Sequence, residues 1–441
     1  MNGKINARVL WFVTAALLGA CNADSNKIGS TIKGERIAAI EQIGTLNPDK
    51  ELEGTAPVLS REIVNLSWPQ TGYDSEHAMP HAQASHQPRI LWKTSIGEGS
   101  SSDYKLLAHP VVGRERIYTM DAEGLVRSFN VKNGDKIWER DTTPKNSENA
   151  AIGGGLALDG DMLYATTGFG DVCALQAKTG QIKWRRPLLK PLRAAPTVAN
   201  ARVYVVSVDN ELNALDAATG EILWHHSGIT ENATLMGASS PAAQGDSVFV
   251  AYNSGEIFGL RVQNGRMSWS YSLASAAQVG ALPAIADIRG LPVVDRGRLY
   301  AISHSGRFAA IDQRTGERVW EADIGGIDTP VVSGDAVFVY GSNGQLIALA
   351  RSNGRILWAK ALPKYVDPED KDSDALIWAG PVLAGGKLWM VNSQGKMASF
   401  SSQDGSAETK IDLGDPLYLS PLVVDRAFYV VTDDGTLIAL R

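Results

Sequence analysis

Histidines, cysteines and carboxylates are the residues from which a chemical site could be built, and few of them lie near one another in this sequence. His77, His81 and His86 are close in the chain, as metal ligands often are. Their spacing matches no zinc pattern, and no cysteine or carboxylate cluster completes a ligand set. His304-Ser305 falls at a predicted turn between strands, where a polar residue is expected anyway, and it supports no catalytic triad. The sequence therefore predicts no catalytic residue, metal or cofactor.

Cys21 is the cysteine whose context indicates chemistry. It ends the segment Leu18-Gly19-Ala20-Cys21, which follows a short basic start and the apolar run Val9–Leu18. That run is too short to span a bilayer, which needs about 20 apolar residues, and is typical of a signal peptide. The segment resembles a bacterial lipobox, in which the cysteine is lipidated and becomes the new N-terminus. The alternative is an ordinary secretory signal in which Cys21 is incidental.

A repeated pattern of short strands occupies most of the chain and would have to position any functional site. Its clearest copy is Ala214–Trp224, ALDAATGEILW, in which two apolar runs flank a tight turn at Thr219-Gly220. Each copy has an aromatic residue, a turn residue six positions later and an apolar residue five positions after that. The aromatic positions are Tyr118, Tyr164, Tyr204, Phe249, Tyr300, Phe338, Trp389 and Tyr429. Eight copies at a period of roughly 40–50 residues predict an all-β, eight-bladed β-propeller of four-stranded antiparallel blades.

Tryptophans follow the turn in six copies, and we interpret them as packing residues between adjacent blades. They are Trp138, Trp184, Trp224, Trp269, Trp320 and Trp358. The seventh copy has Thr409 at this position, and the eighth ends at Arg441 before reaching it. The segment Arg89–Trp92 can supply the missing strand. We therefore expect an N-terminal strand to complete the last blade, which removes open sheet edges.

Three regions follow from this pattern. Residues 1–21 are a lipoprotein signal peptide, residues 22–87 a partly disordered tether without the repeat, and residues 88–441 the propeller. A net charge of −6 without a basic run argues against nucleic-acid binding. All variation in blade length lies between one blade and the next, on one face of the ring. Insertions gathered on one face usually mark the binding face.

The pattern A-x-D-x-x-T-G-x-x-x-W in Ala214–Trp224 resembles the tryptophan-docking repeat of quinoprotein (PQQ) dehydrogenases, which many non-enzymatic propellers share. Together with the lipobox and the eight blades, the chain most resembles the BamB family of outer-membrane assembly lipoproteins. Asn22, in place of Asp after the lipidated cysteine, implies sorting to the outer membrane, facing the periplasm. The resemblance implies a monomeric, non-enzymatic scaffold that docks on the POTRA domains of BamA. With other Bam subunits, it would help to insert β-barrel proteins.

Two neighbouring loops form the docking surface in this family. The family pattern L-x-L-R-G corresponds to Ala233–Gly237, where Leu235 and Gly237 match and Met236 replaces the arginine. The second pattern, D-x-D, corresponds to Asp287-Ile288-Arg289, in which Asp287 matches and Arg289 reverses a charge. The resemblance therefore implies partner-binding residues at Leu235, Met236, Gly237, Asp287, Ile288 and Arg289.

Two other functions stay open. A PQQ-dependent dehydrogenase would need a Ca²⁺ held by oxygen ligands and an aspartate base. Such enzymes also resemble one another in a disulfide between adjacent cysteines, and this sequence has no adjacent cysteines. A lipoprotein that binds a small ligand or polysaccharide in the central channel is the second alternative, because the repeat pattern does not identify the channel-lining residues.

Overall fold

The computed structural model describes residues 44–145, 151–231, 235–274, 286–370 and 372–441. The predicted signal peptide and Cys21 lie outside these residues. Every regular element among the described residues is a β-strand. No described helix is long and apolar enough to pass through a bilayer.

Within the described ranges, thirty-two strands form eight antiparallel sheets of four. Blade 1 contains β2 (Val111–Val112), β3 (Arg116–Met120), β4 (Leu125–Asn130) and β5 (Lys136–Asp141); blade 2 contains β6 (Gly154–Asp159), β7 (Met162–Thr167), β8 (Asp171–Gln176) and β9 (Ile182–Pro187). Blade 3 contains β10 (Thr197–Ala199), β11 (Arg202–Val206), β12 (Glu211–Asp216) and β13 (Ile222–Ser227); blade 4 contains β14 (Ala242–Gln244), β15 (Ser247–Ala251), β16 (Glu256–Arg261) and β17 (Met267–Ser272).

The second half of the ring repeats the same order. Blade 5 contains β18 (Val293–Asp295), β19 (Arg298–Ile302), β20 (Phe308–Asp312) and β21 (Arg318–Ala322); blade 6 contains β22 (Val331–Ser333), β23 (Ala336–Tyr340), β24 (Gln345–Ala350) and β25 (Ile356–Ala361). Blade 7 contains β26 (Trp378–Ala384), β27 (Lys387–Asn392), β28 (Lys396–Ser401) and β29 (Ala407–Asp412); blade 8 contains β30 (Leu422–Val424), β31 (Ala427–Val431), β32 (Thr436–Leu440) and the N-terminal β1 (Ile90–Ser95).

The N-terminal strand closes the ring, as the sequence predicts. β1 pairs antiparallel with β32, with Trp92 opposite Ala439. The indole of Trp92 then covers Gly134 of blade 1, so that blade 8 meets blade 1. The eight-bladed, N-terminally closed propeller is confirmed.

Each tryptophan of the repeat packs its blade against the next one. The indole stacks over a glycine in the outer hairpin of the following blade; Trp184 over Gly220 is one example. Its Nε1–H donates to a backbone carbonyl there, such as Ala217 O for Trp184, at 3.0 Å. The structure explains why blade 7 has Thr409 where the other copies have a tryptophan. Blade 8 has no hairpin between its two outer strands, because β1 comes from the other end of the chain, so there is no glycine on which a tryptophan could stack.

We refer to two faces of the ring. The upper face carries the connections between blades and the hairpins between the second and third strands of each blade. The lower face carries the other hairpins, because successive antiparallel strands reverse direction.

Residues 58–83, which we call the belt, cross the lower face and contact the inner strand or first hairpin of every blade. Trp68 exchanges backbone hydrogen bonds with Val112 of blade 1, at 2.7 and 2.8 Å. The side chain of Gln70 exchanges two hydrogen bonds with the backbone of Val198 in blade 3, each 2.9 Å long. The remaining belt partners are Leu158 in blade 2, Ala243 in blade 4, Val294 in blade 5, Ser333 and Asp335 in blade 6, Leu383 in blade 7 and Val423 in blade 8.

The sequence predicts a tether over residues 22–87, whereas the described part of that segment lies along the ring. Upstream of the belt, Leu46 exchanges hydrogen bonds with the side chain of Gln345 at the upper end of β24. Asp49 forms an ion pair with Arg355 in the hairpin between β24 and β25. The chain thus descends along blade 6 before it enters the belt.

Two belt histidines have structural partners. His77 Nδ1 lies 2.9 Å from the carbonyl of Pro292, and burial lowers the pKa of its imidazole to about 4. His81 Nδ1 lies 2.7 Å from Ser60 O, and His81 Nε2 accepts a hydrogen bond from the amide of Gly386. Both side chains therefore fix the belt to itself and to the ring.

Candidate docking surface and axial cavity

The two loops expected to form the docking surface are joined by a hydrogen bond. The amide of Leu235, in the connection between blades 3 and 4, donates to Asp287 Oδ2 at 2.7 Å. Asp287 belongs to the connection between blades 4 and 5, so this bond ties the two connections together across the upper face. Ala233 and Thr234, which precede Leu235 in the family pattern, lie outside the described residues.

Asp287 and Ile288 are buried, with 3 % and 1 % of their surface exposed. Burial raises the pKa of the Asp287 carboxyl, and the Leu235 amide, His304 and Arg289 oppose that rise by favouring the charged form. The Asp287 carbonyl also accepts a hydrogen bond from the amide of His304. Asp287 and Ile288 therefore lie below the exposed surface and hold the two loops in position.

Met236 and Arg289 present side chains beside this hydrogen bond. Met236 is 47 % exposed. Gly237 has a φ of +92°, and a Cβ built there would lie 3.4 Å from Arg289 Nε, so the arginine passes close to the glycine. The structure thus brings all six residues of the two family patterns into one region of the upper face.

Two exposed apolar residues on the same face do not belong to the family patterns. Leu189 is 88 % exposed in the connection between blades 2 and 3, and Ile229 is 60 % exposed in the connection between blades 3 and 4. Leu189 has a φ of +64°, a conformation that costs a non-glycine residue energy and often marks a functional site. An apolar residue inside a polar inter-blade loop is the sequence signal that could have identified Ile229; Leu189, which lies between Leu188 and Lys190 in a mostly apolar loop, gives no such signal.

A side-chain network stiffens the loop that carries Ile229. Asn210 Nδ2 donates to the Ile229 carbonyl, and the Asn210 carbonyl accepts a hydrogen bond from the amide of Gly228 at 2.8 Å. The Ile229 amide donates to Glu256 Oε2 at 3.3 Å. Ile229 is therefore held in place from blades 3 and 4 together.

A cavity of about 110 Å³ lies on the axis of the ring, next to the docking loops. The belt forms its floor through Trp68, Thr71, Gly72 and Met79. Upper-face connections form its walls, and they contribute His109, Arg193, Ser240, Arg289, Asp328 and Ser420. Arg289 is thus shared between the docking loops and the cavity.

The described residues provide neither a cluster of metal ligands nor an accessible thiol at Cys173. Within the described ranges, no group of three or more His, Cys, Asp or Glu side chains is placed to hold a metal ion. Cys173 is fully buried in β8, and burial raises the pKa of its thiol to about 12. Its side chain packs with Leu163 and Leu175, as expected of a small core residue.

Comparisons with known proteins agree with this architecture. A family model described as outer membrane protein assembly factor BamB matches residues 122–360. The outer membrane protein assembly factor BamB of Salmonella typhimurium is 27 % identical over 370 residues, covering 82 % of this chain and 91 % of that protein. The protein of the same description from Alteromonas naphthalenivorans is 28 % identical over 376 residues, covering 81 % of this chain and 87 % of that protein.

Solved structures show the same fold. BamB from Moraxella catarrhalis has a TM-score of 0.66 at 20 % identity and covers 80 % of this chain and all of that one. Quinohemoprotein alcohol dehydrogenase from Comamonas testosteroni has a TM-score of 0.65 at 13 % identity, with 85 % and 80 % covered. At these identities both likenesses establish the propeller fold alone.

Proposed function

The chain belongs to the family of outer membrane protein assembly factor BamB, and from that premise we propose that it is a non-enzymatic scaffold of the Bam complex. It acts at the outer membrane on the periplasmic side, as a monomer, and assists the insertion of outer-membrane proteins. Its partner is BamA, through the POTRA domains, within an assembly that holds other Bam subunits.

One observation carries this proposal. The Leu235–Asp287 hydrogen bond unites the two family loops, and exposed apolar side chains lie on the same face of the ring. Leu189, Ile229 and Met236 present apolar surface to solvent there. Apolar side chains on a rigid support are typical anchors of a protein interface. We assign the contact to these side chains and to Arg289, while Asp287 and Ile288 hold the loops in position.

Substitutions on the upper face test the docking surface. BamA is recovered with the tagged protein from detergent extracts, and Met236→Asp or Leu189→Asp is expected to reduce recovery at least tenfold, because a charge would replace an apolar anchor. Met267→Asp is the matched control: Met267 is 57 % exposed on the outer strand β17, away from the loops. Failure of the wild-type protein to recover BamA would refute the proposal.

A second variant tests how the loops are held. Asp287→Ala removes the acceptor of the Leu235 amide while leaving the exposed side chains in place. It is expected to weaken BamA recovery by less than Met236→Asp does, because it loosens the surface without introducing a charge. Recovery equal to that of the wild type would mean that the bond between the loops does not matter for docking.

The membrane anchor is a separate part of the proposal. We assign lipidation to Cys21, whose placement after an apolar segment supports a thioether-linked anchor. Mass spectrometry of the mature N-terminal peptide is expected to show acyl chains on this cysteine. Cys21→Ser is expected to shift the protein out of the outer-membrane fraction, and an unchanged distribution together with an unmodified peptide would refute the assignment.

A further inference from the structure

The axial cavity is closed on one side and lined by unlike groups. The belt seals the lower end, where Trp68 and Met79 are buried and apolar. The walls at the upper end come from the connections around the ring and combine apolar residues such as Leu107 and Leu419 with the polar side chains described above. A volume of about 110 Å³ exceeds what a single water molecule needs, so the cavity has room for a small ligand.

Arg289 places a guanidinium in this cavity whose hydrogen-bond donors are not all used. Its guanidinium lies near Asp287, Asp328 and His109, yet it forms no ion pair or side-chain hydrogen bond with any residue that the structure describes. A guanidinium has five N–H donors, and they bind carboxylates and phosphates with matching geometry. Arg193 lines the same cavity from the connection between blades 2 and 3.

Other connections around the cavity contribute acceptors and hydroxyls. Asp328 Oδ2 is buried and has no hydrogen-bond partner in the described structure. Ser420 Oγ lies 3.3 Å from His109 Nε2, and the Ser240 hydroxyl donates to Ala195 O at 2.8 Å. Each hydroxyl oxygen can still accept or share another hydrogen bond. Polar groups converging on a concave cavity with an apolar floor are typical of a small-molecule site.

We propose that the axial cavity binds a small oxyanion, a carboxylate or a phosphate, with Arg289 as its main ligand. The site goes beyond the scaffold function and does not rest on it. The apolar floor at Trp68 and Met79 would accommodate a short hydrocarbon part of such a ligand, while its anionic group faces the upper walls.

Asp328 sets the pH dependence of this site. Burial raises the pKa of its carboxyl to about 6, with Arg289 opposing the rise. Below that pH the neutral carboxyl can donate its proton to an anion, and above it the carboxylate repels one. The other groups facing it keep their charge between pH 5.5 and 7.5: Arg193 and Arg289 stay cationic, burial lowers the pKa of His109 to about 4, and burial raises the pKa of Tyr340. Anion affinity is therefore expected to fall as pH rises through 6.

Two probes distinguish the sources of the oxyanion. The purified full-length protein is titrated at pH 5.5 and constant ionic strength with inorganic phosphate, followed by ³¹P line width, and with butyrate, followed by saturation-transfer NMR. Saturable binding of phosphate alone identifies a phosphate site, binding of butyrate alone a carboxylate site, and binding of both a general oxyanion site. Saturable binding of neither probe would overturn the proposal.

Variants locate the binding. Arg289→Gln is expected to weaken probe binding at least tenfold, whereas Arg266→Gln, a matched change at an exposed hairpin between β16 and β17, leaves it unchanged. Asp328→Asn keeps a donor in the wall and is expected to abolish the loss of butyrate affinity between pH 5.5 and 7.5; butyrate is the probe for this profile because phosphate itself changes charge over that range. Equal affinities of the wild type and Arg289→Gln, or an unchanged pH profile in Asp328→Asn, would contradict the assignment. Although both proposals use Arg289, the BamA recovery experiment is decided by Met236 and Leu189, so the failure of one proposal is distinguishable from the failure of the other.

Discussion

Glycine at the outer hairpin is the residue on which each interface between blades depends. Gly220 has a φ of +72°, and a Cβ built there would lie 2.6 Å from Cε3 of Trp184. Real carbon atoms do not approach so closely, so any side chain would displace the indole of the preceding blade. The hairpin glycine therefore serves two purposes: it permits the turn, and it forms the flat surface on which the tryptophan stacks.

Gly220→Ala is expected to destabilise the ring through both effects. The left-handed backbone costs an alanine about 1–2 kcal/mol, and displacing the indole adds about 1–3 kcal/mol. Gly297→Ala is the matched control, because Gly297 has a φ of +82° and nothing within 4 Å of a Cβ. Urea unfolding of both variants measures the difference, and equal losses of stability would mean that the tryptophan contact contributes little.

Asp74 gives the belt a pH-dependent stability. Its Oδ1 accepts hydrogen bonds from the amides of Glu76 and Ala78, yet burial raises the pKa of the carboxyl from 3.8 to about 6. Because the folded protein holds this proton more tightly than the unfolded chain does, the contribution of Asp74 to stability falls as pH rises from about 4 to 6. Above pH 6 the cost of the buried charge is constant.

Asp74→Asn is expected to become stabilising relative to the wild type between pH 4.5 and pH 8, by up to about 2 kcal/mol. The asparagine oxygen can accept the same amide hydrogen bonds without a charge. Asp49→Asn is the control: the ion pair with Arg355 lowers the pKa of Asp49, so this variant should destabilise the protein by nearly the same amount at both pH values. Thermal unfolding at the two pH values measures both, and a pH-independent difference for Asp74→Asn would contradict the assignment.

At the scale of elements, the belt supplies hydrogen-bond partners to the free edges of the inner strands. An inner strand of a propeller has one free edge, whose amides and carbonyls must find partners. The Gln70 side chain supplies both partners for Val198, acting in place of a neighbouring strand. One extended segment thus satisfies backbone groups in all eight blades.

Gln70→Ala is expected to lower the free energy of unfolding by about 2 kcal/mol, because it leaves the buried amide and carbonyl of Val198 without partners. The amide of Val198 should also lose its protection from hydrogen exchange, while amides in β11 and β12 keep theirs. Gln87→Ala, at an exposed position with no side-chain hydrogen bond in the described structure, controls for the loss of a glutamine. Unchanged protection of Val198 in Gln70→Ala would show that water replaces the side chain there.

The strands could be predicted from the sequence, whereas the belt could not. A blade uses the same few residue types at the same spacing eight times, so even a degenerate copy such as the one with Thr409 is recognisable. Each belt contact occurs once: Asn65, Trp68 and Gln70 use different chemistry on different blades. The family patterns likewise identified the two loops that we propose as the docking surface, but they did not reveal that Asp287 is buried, because burial depends on the packing of the neighbouring loop.

At the scale of the whole molecule, the ring has one closure that differs from the others. In blades 1 to 7 a hairpin connects the outer strand covalently to the third strand. In blade 8 the outer strand β1 is held to β32 by hydrogen bonds and to blade 1 by the stacking of Trp92 on Gly134. The belt fixes the chain just before β1, which keeps the strand near its place in the ring and limits the entropy lost when it pairs.

Comparison of Trp92→Ala with Trp224→Ala tests this difference. Both variants remove an indole that stacks on a hairpin glycine, Gly265 for Trp224 and Gly134 for Trp92, and each should cost about 3–5 kcal/mol. Trp224→Ala also removes the hydrogen bond from the indole to the Val262 carbonyl, which Trp92 lacks among the described residues. Trp92→Ala should in addition speed hydrogen exchange selectively in β32, because β1 can separate while the other blades stay folded. In Trp224→Ala the hairpin retains β13, so exchange should rise evenly through global unfolding. The same even rise in both variants would show that the closure is as cooperative as a covalently connected blade.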